Sequence, residues 1–327
     1  MRVLSGIQPS GALHLGNYFG MMKPMIDLQG ESELFCFIAN YHAMTSLSDG
    51  EALRANVMEA AISFLSLGLD PYQSTFWVQS DVPEVLELYW VLSNFTPMGL
   101  LERAHSYKDK IAKGIHANHG LFSYPVLMAA DILLFGGERV PVGKDQIQHL
   151  EMARDIAMKF NHHYGEIFTL PEAQIAEEVA VVPGIDGAKM SKSYGNTIEI
   201  FGYESQKALK KRISQIVTDS TPLEAPKDPD KCSIFALSKL FMNSDEIEAL
   251  RARYLKGGEG YGHFKAELTE RIWAYFEPYR EKRAYYLAHP KEVYEILAEG
   301  ARKARASAIP IIEKVREVTG IHYRRVS

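Results

Sequence analysis

The chain has 327 residues, of which 46% are hydrophobic and 24% are charged, and its formal net charge is −5. This length and composition predict a globular protein with a large core and two domains. No apolar run is long enough to span a bilayer, and the N-terminus lacks the basic and apolar regions of a signal peptide, so we expect a cytoplasmic protein without membrane contact. The net charge gives no global field that attracts nucleic acid, although a local basic surface can still bind phosphates.

The first segment predicts a strand, a loop and a helix. Val3 and Leu4 form a short apolar run, glycines and a proline follow in residues 5–17, and apolar residues recur at helical spacing from Tyr18 to Ile26. A glycine-rich turn that opens a helix directs backbone N–H groups toward the nucleotide phosphates that open α/β sheets bind. A tight turn that binds nothing explains this segment equally well on its own.

The next segments alternate between buried strands and helices. Residues 34–39 and 75–79 are continuous apolar runs typical of parallel strands, and a helix follows each of them. This alternation predicts right-handed crossovers and an α/β fold with a doubly wound parallel sheet of the Rossmann type. Because ligands of such sheets bind at the carboxyl ends of the strands, residues 6–10 and 40–42 are expected to face one crevice.

Residues 124–135 form an apolar helix in which Asp131 is the only charge. A buried carboxylate needs a partner, so Asp131 is either a salt-bridged structural acid or part of a site. Tyr124, Met128 and Asp131 lie on one helical face, so together they can line a pocket.

A further strand, turn and helix start are predicted over residues 140–149. Asp145 and Gln146 stand in the first helical turn, where they can accept from ribose hydroxyls or an amino group, and Asp145 fits a helix N-cap equally well. From Glu172 onward the pattern loosens. After Ile200 only helical spacing remains, which predicts a domain boundary between residues 1–198 and an all-helical region over residues 199–327.

The last helix is predicted from about Val293 to Val318. Its basic residues are either a solvated face or a surface for nucleic acid. They are Arg302, Lys303, Arg305, Lys314 and Arg316.

The sequence predicts no protein-bound metal. Cys36 and Cys232 are far apart and form no ligand pattern. His116 and His119 are close enough to suggest a metal pair, but no third ligand is evident nearby.

Two short motifs are specific as a pair. Residues 189–193 read Lys-Met-Ser-Lys-Ser within a loop rich in glycine and serine, and residues 14–17 read His-Leu-Gly-Asn. They resemble the KMSKS and HIGH signatures of class I aminoacyl-tRNA synthetases. Residues 6–11, 124–133, 140–146 and 217–220 extend the resemblance to the bacterial tryptophanyl-tRNA synthetases over essentially the whole chain. Tyrosyl-tRNA synthetases are the nearest rival, but they usually carry glutamine where this chain has Met128, and methionine suits a flat apolar indole better.

The resemblance implies ATP-dependent activation of L-tryptophan with release of pyrophosphate, followed by transfer to tRNA(Trp). It implies Mg²⁺ that accompanies ATP, and a homodimer. Four cysteine ligands are lacking, so the iron–sulfur cluster of some relatives is not expected. Another synthetase or adenylate-forming enzyme remains an alternative, and so does an inactive synthetase-like binding protein. Intact Lys189, Lys192 and Asp131 argue against the last.

The resemblance also implies roles for individual residues. The cations that stabilise the developing pyrophosphate charge are Lys110, Lys189 and Lys192. The residues that bind ATP are Gln8, Pro9, Ser10, Gly16, Asn17, Gly143, Lys144, Asp145, Val182, Lys189, Met190, Ser191, Lys192 and Ser193. The residues that bind tryptophan are Leu4, His42, Tyr124, Met128, Asp131 and Gln146. Two positions depart from the common bacterial pattern, since Leu4 replaces an aromatic residue and Lys144 replaces an acid.

Overall fold

The structure is a computed structural model that describes residues 1–9, 11–104, 107–108, 118–143, 146–175 and 182–323. Its sheet contains β1 (Arg2–Ile7), β2 (Glu33–Ile38), β3 (Thr75–Val78), β4 (Arg139–Val142) and β5 (Glu172–Ile175). The strand order is β3-β2-β1-β4-β5, and all neighbouring pairs are parallel. The predicted doubly wound parallel sheet is therefore confirmed.

Residues Glu172–Ile175, where the sequence pattern loosens, form β5. This strand lies at the edge of the sheet and pairs with β4 over four residues, from Arg139 with Glu172 to Val142 with Ile175. This short edge strand contains no continuous apolar run that would mark it in the sequence. Its hydrogen bonds to β4 define it as a strand.

Helices surround the sheet and continue beyond it. Those of the first part are α1 (Leu15–Asn17), α2 (Lys23–Asp27), α3 (Asn40–Ala43), α4 (Gly50–Ser66), α5 (Glu84–Ser93), α6 (Met98–Glu102), α7 (His119–Leu134) and α8 (Ile147–Tyr164). A π-helical turn, Tyr18–Met22, joins α1 to α2. Those that follow are α9 (Gln206–Ser214), α10 (Ser233–Ser238), α11 (Ser244–Lys256), α12 (Tyr261–Tyr275), α13 (Glu277–Ala288) and α14 (Pro290–Thr319).

Alternating side chains of the strands divide the core into two clusters, one on each face of the sheet. Val3 and Cys36 belong to one cluster, which continues into the helical region through Leu268. Leu4 and Phe35, their neighbours in sequence, belong to the other, which includes side chains of α7 and α8. Both faces of the sheet are covered, as a parallel sheet requires.

The last helix returns to the sheet. A Cβ atom at Gly300 of α14 would lie 1.7 Å from the carbonyl oxygen of Phe76 in β3, so only glycine permits this approach. No helix in the described part of the chain has the length and apolar character required to cross a membrane.

Candidate active site

His14 forms the N-terminus of α1. Its Nδ1 accepts the backbone N–H of Asn17 at 3.3 Å, and Asn17 Oδ1 accepts the backbone N–H of His14 at 3.2 Å. Burial, and then the positive charge of Lys192, lower the pKa of His14 from 6.5 to about 4. The ring is therefore neutral at pH 7, and since Nδ1 accepts, the proton lies on Nε2.

The two signature segments are in contact. A Cβ atom at Gly16 would lie 3.0 Å from Nδ1 of His14 and 3.4 Å from Cβ of Met190. The backbone N–H of Met190 donates to the carbonyl of Val182 at 2.9 Å, and both side chains are buried in one cluster. The chain then returns beside α1, where Leu15 N donates to Ile198 O at 3.0 Å.

Asn196 holds the lysine loop of residues 189–193. It is 2% exposed, and its Oδ1 accepts the backbone N–H of Ser191 at 2.8 Å. Its Nδ2 donates to Asp186 Oδ1 at 2.8 Å and to the carbonyl of Lys189 at 3.2 Å. Within this loop, Lys189 and Lys192 are exposed while Met190 is buried. Partial burial of the Lys192 ammonium lowers its pKa, and the charges of Glu199 and Glu59 oppose that shift.

Asp131 has two partners at the ends of neighbouring strands. The carboxylate is 2% exposed, and its Oδ2 lies 2.9 Å from Nε2 of His42, which follows β2. Nε2 of Gln79, which follows β3, donates to both carboxylate oxygens at 2.8 Å. Burial raises the pKa of Asp131, and the hydrogen bonds from His42 and Gln79 oppose that shift. The predicted need for a partner is confirmed.

Tyr124 connects Asp131's helix to α8. Its hydroxyl lies 2.8 Å from Nε2 of His149, and Nδ1 of His149 lies 3.0 Å from Oε1 of Gln146. Because an amide oxygen only accepts, Nδ1 carries a proton, and in the neutral ring Nε2 accepts from Tyr124. The ring of His42 lies edge-on to Tyr124, with 6.2 Å between the centroids. These contacts assemble a set of side chains from the ends of β2, β3 and β4 and from α7.

Residues 1–277 match the family model described as tRNA synthetases class I (W and Y). The chain belongs to this family. It is 64% identical to the tryptophan–tRNA ligase of Campylobacter jejuni strain RM1221, covering 98% of this chain and 100% of the relative. It is 55% identical to that of Fusobacterium nucleatum, covering 98% of both chains. The crystal structure of the Campylobacter jejuni enzyme complexed with ADP and tryptophan aligns with a TM-score of 0.92 at 64% identity, covering 98% of this chain and 100% of that chain.

The remaining site predictions fall at different places in this synthetase. Leu4 is buried in the core, Met128 is half-buried on α7, and Gln8 is exposed after β1. Pro9 is buried beside it, Gly143 follows β4 at the surface, and Ser193 lies 2.8 Å from Ser191 through their hydroxyls. Four of the predicted site residues lie outside the described residues: Ser10, Lys110, Lys144 and Asp145. His116, considered above for a metal pair, lies outside them as well. Among the described residues, no group of three His, Cys, Asp or Glu side chains has the arrangement of a metal site.

Three residues that contact candidate site residues were missed by sequence reasoning: Gln79, His149 and Asn196. Gln79 is the polar end of an apolar strand, a position at the carboxyl edge where ligands bind in such sheets, so its signal was present. His149 stands three residues after Gln146, on the same helical face. Asn196 gave no signal, because an asparagine in a loop is ordinary.

Proposed function

We propose that the protein activates L-tryptophan with ATP, releases pyrophosphate and transfers the tryptophanyl group to tRNA(Trp). The observation that carries this proposal is the buried carboxylate of Asp131, held at the strand ends by His42 and Gln79. The 64% identical enzyme whose structure contains ADP and tryptophan supports it.

In the first step, an oxygen of the tryptophan carboxylate forms a bond to the α-phosphorus of ATP. The bond between that phosphorus and the bridging oxygen of pyrophosphate breaks, and pyrophosphate leaves with the electron pair. Such a transfer depends on positioning and on cations rather than on a protein nucleophile. Lys189 and Lys192 of the loop supply positive charge to the leaving group, and the family resemblance adds Lys110. Mg²⁺ enters with ATP as part of the substrate.

The glycine-rich segment and the lysine loop bind ATP. Gly16 carries no side chain, so its backbone permits close approach of ATP. His14 is neutral, so it presents an Nε2–H donor and does not repel cations. The family resemblance adds Gln8, Pro9, Ser10, Asn17, Gly143 and Lys144, and it assigns the ribose hydroxyls to Asp145. Val182 packs on the adenine, next to Met190, Ser191 and Ser193.

Amino-acid selection depends on Asp131 and Met128. Asp131 accepts the N–H of the indole, and Met128 contacts its flat face through a polarisable sulfur. Tyr124 and Gln146 hold the ammonium group of tryptophan. His42 forms a wall of the pocket, and Leu4 lies behind this wall. Phenylalanine has no donor, so its binding leaves the buried carboxylate without a partner.

In the second step, a terminal ribose hydroxyl of tRNA attacks the carbonyl carbon of the adenylate. AMP leaves, and the hydroxyl proton is released. The helical region after residue 198 binds the anticodon. The working form is a homodimer, and one exposed apolar face supports this assembly: Leu86 and Trp90 are 39% and 69% exposed, one turn apart on α5.

The decisive experiment is amino-acid-dependent exchange of labelled pyrophosphate into ATP, measured with each of the twenty amino acids. Tryptophan alone is expected to support exchange, and tRNA(Trp) is expected to accept it. Exchange with tyrosine instead would show the other specificity of the family. Exchange with neither would refute the proposal.

A further inference from the structure

Gln79 connects three parts of the amino-acid site. It is 1% exposed and follows β3 directly. Its Nε2 donates to both oxygens of Asp131 on α7, while its Oε1 accepts the backbone N–H of Tyr41 on α3 at 3.0 Å. Both ends of the amide are therefore engaged, one with the carboxylate and the other with the helix that carries His42.

These contacts restrict how Asp131 can receive a ligand. An ionised carboxylate offers about four acceptor positions. Gln79 contacts both oxygens, and His42 contacts Oδ2 at 2.9 Å. A carboxylate held at both oxygens cannot rotate freely, and about one acceptor position is left. An indole has one N–H to donate.

We propose that Gln79 is a positioning residue for amino-acid selection, whose amide fixes the orientation of Asp131 so that the carboxylate presents one acceptor to the indole N–H. This inference rests on the proposed function, because it takes tryptophan as the substrate. Gln79 acts through Asp131 and touches no reacting atom.

Two variants separate this role from a structural one. Gln79→Glu keeps the size of the side chain and an oxygen for the Tyr41 N–H, but it replaces the donor to Asp131 with a second carboxylate. Two buried carboxylates in contact repel each other, so as pH falls the pair takes up a proton that the two groups share. Gln79→Met removes the hydrogen bonds to Asp131 and the one from the Tyr41 N–H at similar side-chain volume.

The measurement is the ratio of kcat/KM for tryptophan to kcat/KM for β-(3-benzothienyl)alanine in pyrophosphate exchange. The benzothienyl ring has the same shape as indole, but its sulfur cannot donate a hydrogen bond. We expect the ratio to fall about tenfold in Gln79→Met, and in Gln79→Glu at pH 8, which is the scale of one lost hydrogen bond. For Gln79→Glu, the ratio should recover at pH 6, where the shared proton restores a donor to Asp131.

Ser80→Ala is the matched control. It removes the neighbouring hydrogen bond from Asn40 Nδ2 to Ser80 Oγ, which ties the same two strand ends without contacting Asp131. Its ratio should equal that of the parent protein. A Gln79→Glu ratio within twofold of the parent at both pH values would overturn the inference, and so would an equal fall in Ser80→Ala. Failure of the proposed function is distinguishable, because the parent protein would then show no exchange with tryptophan.

Discussion

At the scale of single residues, His14 shows how burial fixes a protonation state. The ring caps α1 through Nδ1 and lies near the Lys192 ammonium, and both burial and that charge disfavour its protonated form. The same imidazole in an unfolded chain titrates near 6.5. The difference between the two states makes stability depend on pH.

We predict that the free energy of unfolding falls as pH is lowered from 6.5 toward 4, the folded-state pKa of His14. In this range the unfolded chain binds a proton that the folded chain rejects, so protonation favours unfolding. Between pH 7 and pH 5, His14 accounts for about 2 kcal/mol of the loss. Urea unfolding at the two pH values measures it.

His14→Asn is the control for this prediction, since asparagine is also a good N-cap and does not titrate. The parent protein should lose about 2 kcal/mol more than this variant between the two pH values. Equal losses would mean that the imidazole is not protected from protonation in the folded protein.

At the scale of elements, the lysine loop depends on a side chain outside its motif. Asn196 binds the backbone on both sides of Met190, at Ser191 N–H and at the carbonyl of Lys189. Buried Met190 fixes the middle of the loop against Gly16. Because Asn196 holds the backbone that carries both lysines, it helps to set where their charges lie.

We predict that Lys192→Ala raises the barrier to adenylate formation by about 3 kcal/mol, the scale of one lost electrostatic donor. Asn196→Ala is expected to lower the same rate about tenfold, because both lysines remain but their backbone is less ordered. The KM for tryptophan should change little in either variant, since the loop acts on the phosphates. Pre-steady-state adenylation measures both rates.

Asn243→Ala provides the matched control, because Asn243 caps α11 by accepting the backbone N–H of Glu246 and lies in the helical region. This variant removes a helix cap that contributes about 1 kcal/mol to stability, and it leaves the lysine loop unchanged. Unchanged adenylation in Asn243→Ala beside a slowed Asn196→Ala would support the loop role. Equal adenylation rates in the parent protein, Asn196→Ala and Asn243→Ala would contradict it.

At the scale of the whole molecule, α14 joins the C-terminal end of the chain to the sheet. Two of its basic residues pair with glutamates of α5: Arg305 contacts Glu84 at 2.6 Å, and Arg316 contacts Glu87 at 2.5 Å. Arg316 holds the pKa of Glu87 below its usual range. The nitrogen of Lys303 lies 3.4 Å from the carbonyl of Pro71. The basic residues predicted as a solvated or nucleic-acid-binding face therefore partly serve contacts within the chain.

We predict that Arg305→Ala lowers the free energy of unfolding by about 1–2 kcal/mol, because it leaves the buried carboxylate of Glu84 without its cation, although the half-exposed guanidinium of Arg305 is partly screened by water. Glu84 is 5% exposed, and its Oε2 has no hydrogen-bond partner among the described residues. Arg302→Ala, which breaks a fully exposed pair with Glu299 on the same helix, should leave the free energy of unfolding nearly unchanged. Urea unfolding of the two variants measures the difference, and equal losses would exclude a specific role for the α14–α5 contact.

Four of the five described strands and the family could be predicted from the sequence. Continuous apolar runs predicted β1 to β3, because a parallel strand buried on both faces has no polar alternation. Residues 14–17 and 189–193 identified the chemistry, since both motifs depend on residue identity rather than on packing. Asp131 was identified as a candidate because a lone charge in an apolar helix needs a partner.

The contacts between distant groups could not be predicted from the sequence. Gln79 and Asp131 are 52 residues apart, and the crossovers of the sheet bring them to 2.8 Å. The edge strand β5 exists through its pairing with β4, and Arg305 reaches Glu84 across 221 residues. Local sequence carries periodicity and motif identity, but hydrogen bonds between distant side chains depend on the packing of whole elements, which no short window of sequence contains.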